Sequence, residues 1–173
     1  MSKRYAIDLD VSKCVSCGAC AVACMDQNDL NVKRARPFRN VFDMERREGE
    51  GAAYSHLSLA CMHCVDAPCV VGCPSACIRK DPETNLTVFD TTNCIGCHSC
   101  AMACPYGVPG FGPDGKMVKC DGCYVRVRHG MKPACVKACP TGALKLIDLD
   151  GPEEIAPQNS LRQRSMELLN RQV

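Results

Sequence analysis

The sequence has no tryptophan, and aromatic residues make up only 5% of it. Large aromatic side chains supply much of the area that a core buries, so a big apolar core is excluded. Long uncharged apolar runs are also lacking. None approaches the roughly 20 residues of a membrane-spanning helix, so no direct membrane insertion is expected. The start, Met1-Ser2-Lys3-Arg4-Tyr5-Ala6-Ile7-Asp8, has early cations but no apolar h-region, and Asp8 and Asp10 interrupt the stretch where one would lie. The expectation is a chain made without its own export signal and working in the cytoplasm, with export beside a signal-bearing partner as the alternative. A P-loop, a G-x-G-x-x-G with an acidic follower and a nucleophile–base motif are missing too. No catalytic site is therefore expected within this chain, and substrate chemistry is expected elsewhere.

What is abundant is cysteine, 17 in 173 residues. A domain with so little core needs metals or disulfides to hold it. Disulfides require an oxidising compartment, and cysteine patterns in a chain without a signal peptide point to metal instead.

Sixteen cysteines fall into four groups of four. These are Cys14, Cys17, Cys20 and Cys24; Cys61, Cys64, Cys69 and Cys73; Cys94, Cys97, Cys100 and Cys104; and Cys120, Cys123, Cys135 and Cys139. Groups one and three share the spacing C-x2-C-x2-C-x3-C. Groups two and four lengthen the middle gap to x4 and x11 but keep the first x2 and the last x3. Proline follows the last cysteine in three groups (Pro74, Pro105, Pro140), and Met25 stands there in group one.

The flanks repeat as well. Asp10 precedes Cys14 by four residues, and Asp90 precedes Cys94 by four. Each aspartate follows a short β-like run, at 5–9 and 86–89. Downstream, Cys73-Pro74-Ser75-Ala76-Cys77-Ile78 lines up with Cys139-Pro140-Thr141-Gly142-Ala143-Leu144. Cys77 thus matches Ala143 and reads as a small buried residue behind a cluster, not a ligand. Each unit reads as strand, cysteine loop and short helical turn, too small to bury a core alone.

These spacings specify iron and sulfur. The first three cysteines of C-x2-C-x2-C-x3-C wrap one cubane, and the fourth, one helical turn on, ligates the neighbouring cube. Zinc would need two C-x2-C pairs around one tetrahedral ion, which leaves the third and fourth cysteines of each run unexplained. Four [4Fe–4S] clusters are expected, with the sixteen cysteines as iron ligands. A resting cluster with its four thiolates carries about −2, so the formal +2 of the chain becomes about −6. Nucleic acid is not an expected partner at that charge.

Other features are weaker. His63 and His98 lie between cysteines, but no cysteine is missing that a histidine would replace, so both read as loop residues near a cluster. Lys116, Lys119, Arg126, Arg128, Lys132 and Lys137 make the fourth group basic. They screen cluster charge, raise a potential, face an acidic partner, or form an ordinary solvated face. Residues 31–60 read as a hairpin or linker, with strands at 39–42 and 54–59 and a turn at Gly49-Glu50-Gly51. Residues 151–173 read as a tail in which Ser160 N-caps a short helix carrying Leu161, Leu168 and Leu169, either docked on a partner or frayed in solvent.

The four groups with these spacings resemble the iron–sulfur subunits of the dimethyl-sulfoxide reductase family, which includes polysulfide reductase, formate dehydrogenase and formate hydrogenlyase relatives. The resemblance covers about residues 5–149. It implies an α+β fold of two ferredoxin-like modules, one inserted in the other, loop-rich with short strands and helices. The outer module takes residues 1–30 and 105–150, and the inner module 61–104. It implies four ligand sets. Cys14, Cys17 and Cys20 go with Cys139; Cys120, Cys123 and Cys135 with Cys24. Cys61, Cys64 and Cys69 go with Cys104; Cys94, Cys97 and Cys100 with Cys73. Spacing alone leaves this pairing open.

The function implied is single-electron relay between a molybdenum- or tungsten-pterin catalytic subunit and a flavoprotein subunit or other acceptor. Self-association into a longer relay is a further possibility. The short chain is similar in size to the small polyferredoxin subunit of tungsten aldehyde oxidoreductases. A free-standing polyferredoxin is the alternative.

Overall fold

Apolar residues alternate here over only a few positions at a time, too few for a broad sheet. In the computed structural model, which describes residues 3–48 and 51–170, the strands pair only as two-stranded antiparallel ribbons. Strand β1 (Tyr5–Leu9) pairs with β8 (Leu144–Asp148), Tyr5 opposite Asp148 and Leu9 opposite Leu144. β4 (Ile78–Lys80) pairs with β5 (Thr87–Phe89) midway along the chain. β2 (Asn40–Glu48) pairs with β3 (Gly51–Leu59), and β6 (Gly110–Phe111) with β7 (Met117–Val118).

The ribbons β1–β8 and β4–β5 are built alike. The Asp10 N–H donates to the Ala143 carbonyl at 2.8 Å, and the Asp90 N–H to the Cys77 carbonyl at 2.8 Å. Asp10 Oδ1 accepts from Ser12 N at 3.1 Å and Ser12 Oγ at 2.6 Å; Asp90 Oδ1 accepts from Thr92 N at 2.9 Å and Thr92 Oγ1 at 2.6 Å. The sequence match of Cys77 with Ala143 is therefore a match in space. Both side chains are buried.

Between the strands lie helices α1 (Ala19–Gln27), α2 (Pro68–Val71), α3 (Ser99–Ala103), α4 (Tyr124–Arg128) and α5 (Ala134–Lys137). The residue after the last cysteine of a group sets the helix length. Pro74, Pro105 and Pro140 offer no N–H to continue a helix, and α2, α3 and α5 run only 4, 5 and 4 residues. Met25 keeps its N–H, and α1 runs 9. None of the described helices is long and apolar enough to cross a membrane.

The hairpin β2–β3 is longer than the sequence suggests. Its charged run, expected in the connection, lies inside β2. Asp43, Met44 and Glu45 are exposed, so the charges there pay no desolvation, and Asp43 pairs with His56 (2.7 Å) across the strands. Of the expected turn, Gly51 belongs to β3, while Gly49 and Glu50 lie outside the described residues.

The tail helix α6 (Leu161–Asn170) is capped by Ser160, whose Oγ accepts from Gln163 N at 3.1 Å. Its first turn docks on the chain itself. Buried Asp8 accepts from Ser160 Oγ at 2.5 Å, Arg162 N at 3.0 Å and Leu9 N at 2.8 Å. The Arg162 side chain donates to the Met62 carbonyl. Leu161 packs on the core, while Leu168 and Leu169 stay exposed.

The core is three small clusters, each containing cysteine. One gathers Ile7, Leu9, Cys20, Cys135, Val136, Ala143 and Leu144. A second gathers Ala67, Cys69, Ile78, Cys100 and Met117, and a third Ala60, Cys61 and Cys120. The thiols sit where another small domain would place leucine.

Candidate metal centres

The four C-x2-C loops adopt one backbone solution. The residue just before the second cysteine has positive φ in every group: 57° at Ser16, 45° at His63, 65° at Gly96 and 76° at Gly122. Alternating hands at successive residues turn N–H groups toward a common concavity suited to an anion. N–H groups accordingly point at sulfur. Gly122 N lies 3.4 Å from Cys120 Sγ, Cys77 N 3.3 Å from Cys73 Sγ and Met117 N 3.4 Å from Cys94 Sγ.

Cysteines distant in sequence meet around cavities. One is lined by Cys14, Cys17, Cys20 and Cys139. A second is lined by Cys24, Cys120, Cys123 and Cys135. A third is lined by Cys73, Cys94, Cys97 and Cys100, together with Cys77. Cys61, Cys64, Cys69 and Cys104 form the remaining tetrad. Burial pushes the Cys69 thiol up to about 11, and the charges of Cys61, Cys104 and Cys64 add to the rise. Twelve of the sixteen predicted cysteines thus line three shared cavities, and the other four bear on one another through their charges.

The helices explain why the fourth member comes from another group. Cys20 and Cys24 are four residues apart across α1, about 6 Å along its axis and on one side of it. Cys20 therefore faces the first cavity and Cys24 the second. Cys135, on α5, faces the second cavity, and Cys139, just beyond, the first. α2 with α3 repeats the arrangement for the other two tetrads. Among the described residues, no three Cys, His, Asp or Glu side chains close on a single-ion site.

Residues 52–149 match the family described as "4Fe-4S dicluster domain". The chain belongs to that family. Among curated proteins, this dicluster-family chain is 39% identical over 159 residues to the anaerobic dimethyl sulfoxide reductase B chain of Escherichia coli, covering 87% of this chain and 76% of the relative. It is 33% identical over 181 residues to "Thiosulfate reductase electron transfer subunit PhsB" of Salmonella typhi, covering 99% and 94%. It is 34% identical over 160 residues to "Hydrogenase-2 operon protein HybA" of Escherichia coli O157:H7, covering 78% and 49%.

The residues present fit the cluster that the dicluster family is named for. Burial raises the thiols of Cys20, Cys24, Cys64, Cys100 and, to about 11, Cys123, and raises Cys120 furthest. So many buried thiols ionise together only against bound metal. Two thiols lean the other way. Ser99 lowers Cys97, and at Cys139 the backbone N–H of Leu144 and the Thr141 hydroxyl outweigh burial. An orphan group adds to the fit. Arg39 is buried beside the second cavity, donates from one terminal nitrogen to Ser58 O at 3.0 Å, and leaves its Nε without a partner. A buried, partly unpaired guanidinium calls for an anion.

Sequence reasoning missed this cation, Lys80 and Arg162, and named Lys119 without placing it in the interior. Lys119 is 1% exposed; its Nζ donates to the carbonyls of Thr87 and of Cys120 (2.7 Å) and lies 4.0 Å from Cys61 Sγ. Lys80 donates to the Cys64 carbonyl, and Arg162 sits beside Cys64. The basic stretch of the fourth group is therefore no single face. Lys119 is internal, Arg128 pairs with Asp81 and Glu83, and Arg126 bonds the Lys132 carbonyl and Gln27.

The two histidines also differ. His63 is fully buried, accepts from Thr87 N at 3.0 Å, and places Nε2 3.9 Å from Cys120 Sγ. Burial and the charge of Lys119 hold its imidazole well below its ordinary range. His98 stacks on Phe111, ring centroids 3.7 Å apart, at the start of α3.

Proposed function

We propose that the chain is the electron-transfer subunit of an oxidoreductase complex. It relays single electrons through four [4Fe–4S] clusters between a molybdenum- or tungsten-pterin catalytic subunit and a flavin subunit or other acceptor. The observation that carries this is the convergence of cysteines from different sequence groups on three shared cavities, with the charges of Cys61, Cys64 and Cys104 all bearing on Cys69. The names of the relatives, one a component of a reductase and one an electron transfer subunit, support a subunit role.

In this reading Cys14, Cys17, Cys20 and Cys139 hold one cluster, and Cys24, Cys120, Cys123 and Cys135 the next. Cys61, Cys64, Cys69 and Cys104 hold the third, and Cys73, Cys94, Cys97 and Cys100 the last. Cys77 backs the last site as Ala143 backs the first, without ligating. The first two clusters belong to an outer module, residues 1–30 and 105–150, closed by β1–β8. The other two belong to an inner module, residues 61–104, inserted into it.

The clusters, when bound, supply one-electron redox chemistry between 2+ and 1+ states. The chain's own residues fix their spacing and exclude water. Helices that present cysteines to two cavities each hold neighbouring sites at a constant separation. Backbone N–H groups aimed at sulfur and buried cations set how easily each site accepts an electron. Two of the sites reach the surface. Cys17 and Cys97 are exposed, beside exposed Val15 and Ile95. These sites are where electrons enter and leave.

Gentle anaerobic purification from the source organism tests the reading. The chain should co-elute with a pterin-metal subunit and take up about four electrons in a reductive titration, one per cluster. Elution alone, with four electrons still taken up, would favour the free-standing carrier. Uptake of two or fewer would defeat the four-cluster reading.

A further inference from the structure

Arg39 and Lys119 occupy the first two junctions between tetrads. Arg39 is 3% exposed and Lys119 1%. Among the described residues neither has a carboxylate within ion-pair distance. A cation buried without a counter-ion costs several kcal/mol, so their positions call for a nearby negative charge. What they face is sulfur. Arg39 lines the cavity of Cys24, Cys120, Cys123 and Cys135; Asp121 lines it too, with its Oδ1 accepting from Cys123 N at 2.8 Å and no ion pair to Arg39 among the described residues. It also bonds Ser58, whose Oγ lies 3.3 Å from Cys20 Sγ of the first tetrad. Lys119 stands between Cys120 and Cys61, bonding the Cys120 carbonyl at 2.7 Å with Cys61 Sγ at 4.0 Å. The Phe89 ring, 5.6 Å away, closes off another side of its ammonium. The tetrad of Cys73, Cys94, Cys97 and Cys100 has no such neighbour: among the described residues its cavity is lined by no lysine or arginine.

We infer that Arg39 and Lys119 are internal counter-cations of the relay, each raising the reduction potential of the clusters on both sides of its junction. The inference rests on the four-cluster reading above. The physical reason is charge. Reduction adds one electron to an already anionic site, and two neighbouring sites repel each other's added electron. A fixed cation between them, in an interior that screens weakly, favours the reduced form of both and offsets that repulsion. Neither residue is a ligand. Each acts by its charge and place, so the variable it controls is a potential and not iron content.

Potentiometric titration of the cluster-loaded full chain, followed by EPR, is the test, with iron counted in every sample. R39Q should lower the reduction equilibrium constant of at least one cluster about tenfold, equal to 59 mV for one electron. K119Q should do the same, and the set of shifted signals should differ. R39K and K119R, which keep the charge, should return to within threefold of the parent. K132Q, at an exposed lysine, should change nothing.

Full iron with unmoved potentials in R39Q and K119Q overturns the inference and leaves the four-cluster reading standing. So does a shift in R39K as large as in R39Q, because a purely structural role would behave that way. A glutamine variant that fails to load iron while the charge-keeping variant also fails overturns the inference for that residue, whose role is then in assembly and not in setting a potential. A parent protein with fewer than four clusters overturns the four-cluster reading itself, whatever the variants do.

Discussion

The two ends of the molecule are near copies that differ in what surrounds them. At one end the loop of Cys14, Cys17 and Cys20 sits on ribbon β1–β8; at the other the loop of Cys94, Cys97 and Cys100 sits on β4–β5. Both open with an aspartate that bonds a hydroxyl two residues on, and both receive a fourth cysteine from a distant helix. They differ where the copies meet the rest of the chain. Ala143 lines the cavity at the first end and Cys77 the cavity at the other. The first is flanked by the β2–β3 hairpin and, through Ser58, by Arg39; the second is flanked by β6–β7 and Phe111. The loop geometry is the shared part of the design, and the charge and covering around it distinguish one site from another.

The largest test of that equivalence removes a fourth ligand. Cys73→Ala should lose about four of roughly sixteen irons, whereas Cys77→Ala should keep them all, as Ala143 does at the other end. Iron analysis of the two purified variants decides it, and iron loss in Cys77→Ala would break the match with Ala143.

The next contrast exchanges the loop residue with positive φ. An ideal Cβ on Gly96 would lie 2.8 Å from the Gly115 carbonyl oxygen, which is backbone and cannot step aside cheaply. Gly96→Ser should therefore destabilise by about 3 kcal/mol, from strain plus overlap. Ser16 already carries its side chain at φ 57°. Ser16→Gly should be neutral or stabilising by up to about 1 kcal/mol. Denaturant-induced bleaching of the cluster absorbance ranks the two.

Buried carboxylates also tie down these two ribbons. Asp8, on β1, gathers three donors and holds the tail helix. Asp8→Ala leaves a buried hydroxyl and N–H groups unpaired and should cost about 2 kcal/mol, with proteolysis of the chain after residue 160 as the direct readout.

Asp81, in the β4–β5 connection, holds Thr84 and Arg128. Burial works to raise its carboxyl, but the Thr84 and Arg128 hydrogen bonds prevail and hold it below its ordinary value. A depressed folded value means that its stabilisation is complete above the unfolded value, about 3.9, and fades as pH falls through the folded one. The difference in unfolding between the parent and Asp81→Asn should be constant from neutrality down to about pH 5 and shrink below about pH 4. A difference that grew in acid would contradict this sign. At neutral pH it is the smallest of these effects.

Much of this was legible in the residues. The sixteen ligand candidates, the aspartates before Cys14 and Cys94, the match of Cys77 with Ala143, and the Ser160 cap are local patterns, and local patterns survive folding. The length of β2 was not legible, because a charged strand is defined by the partner it pairs with rather than by its own propensity. Nor were the buried cations. Arg39, Lys80, Lys119 and Arg162 look like surface residues by type. Only the convergence of thiols from separate groups creates the anionic interior that accepts them. The one local hint was Lys119, which directly precedes the first cysteine of its group.

The count of iron and acid-labile sulfide in anaerobically purified protein tests the central claim most directly. Four tetrads predict about sixteen of each per chain, falling to about twelve irons in Cys73→Ala. About eight of each in the parent, the content of two clusters, would contradict the account.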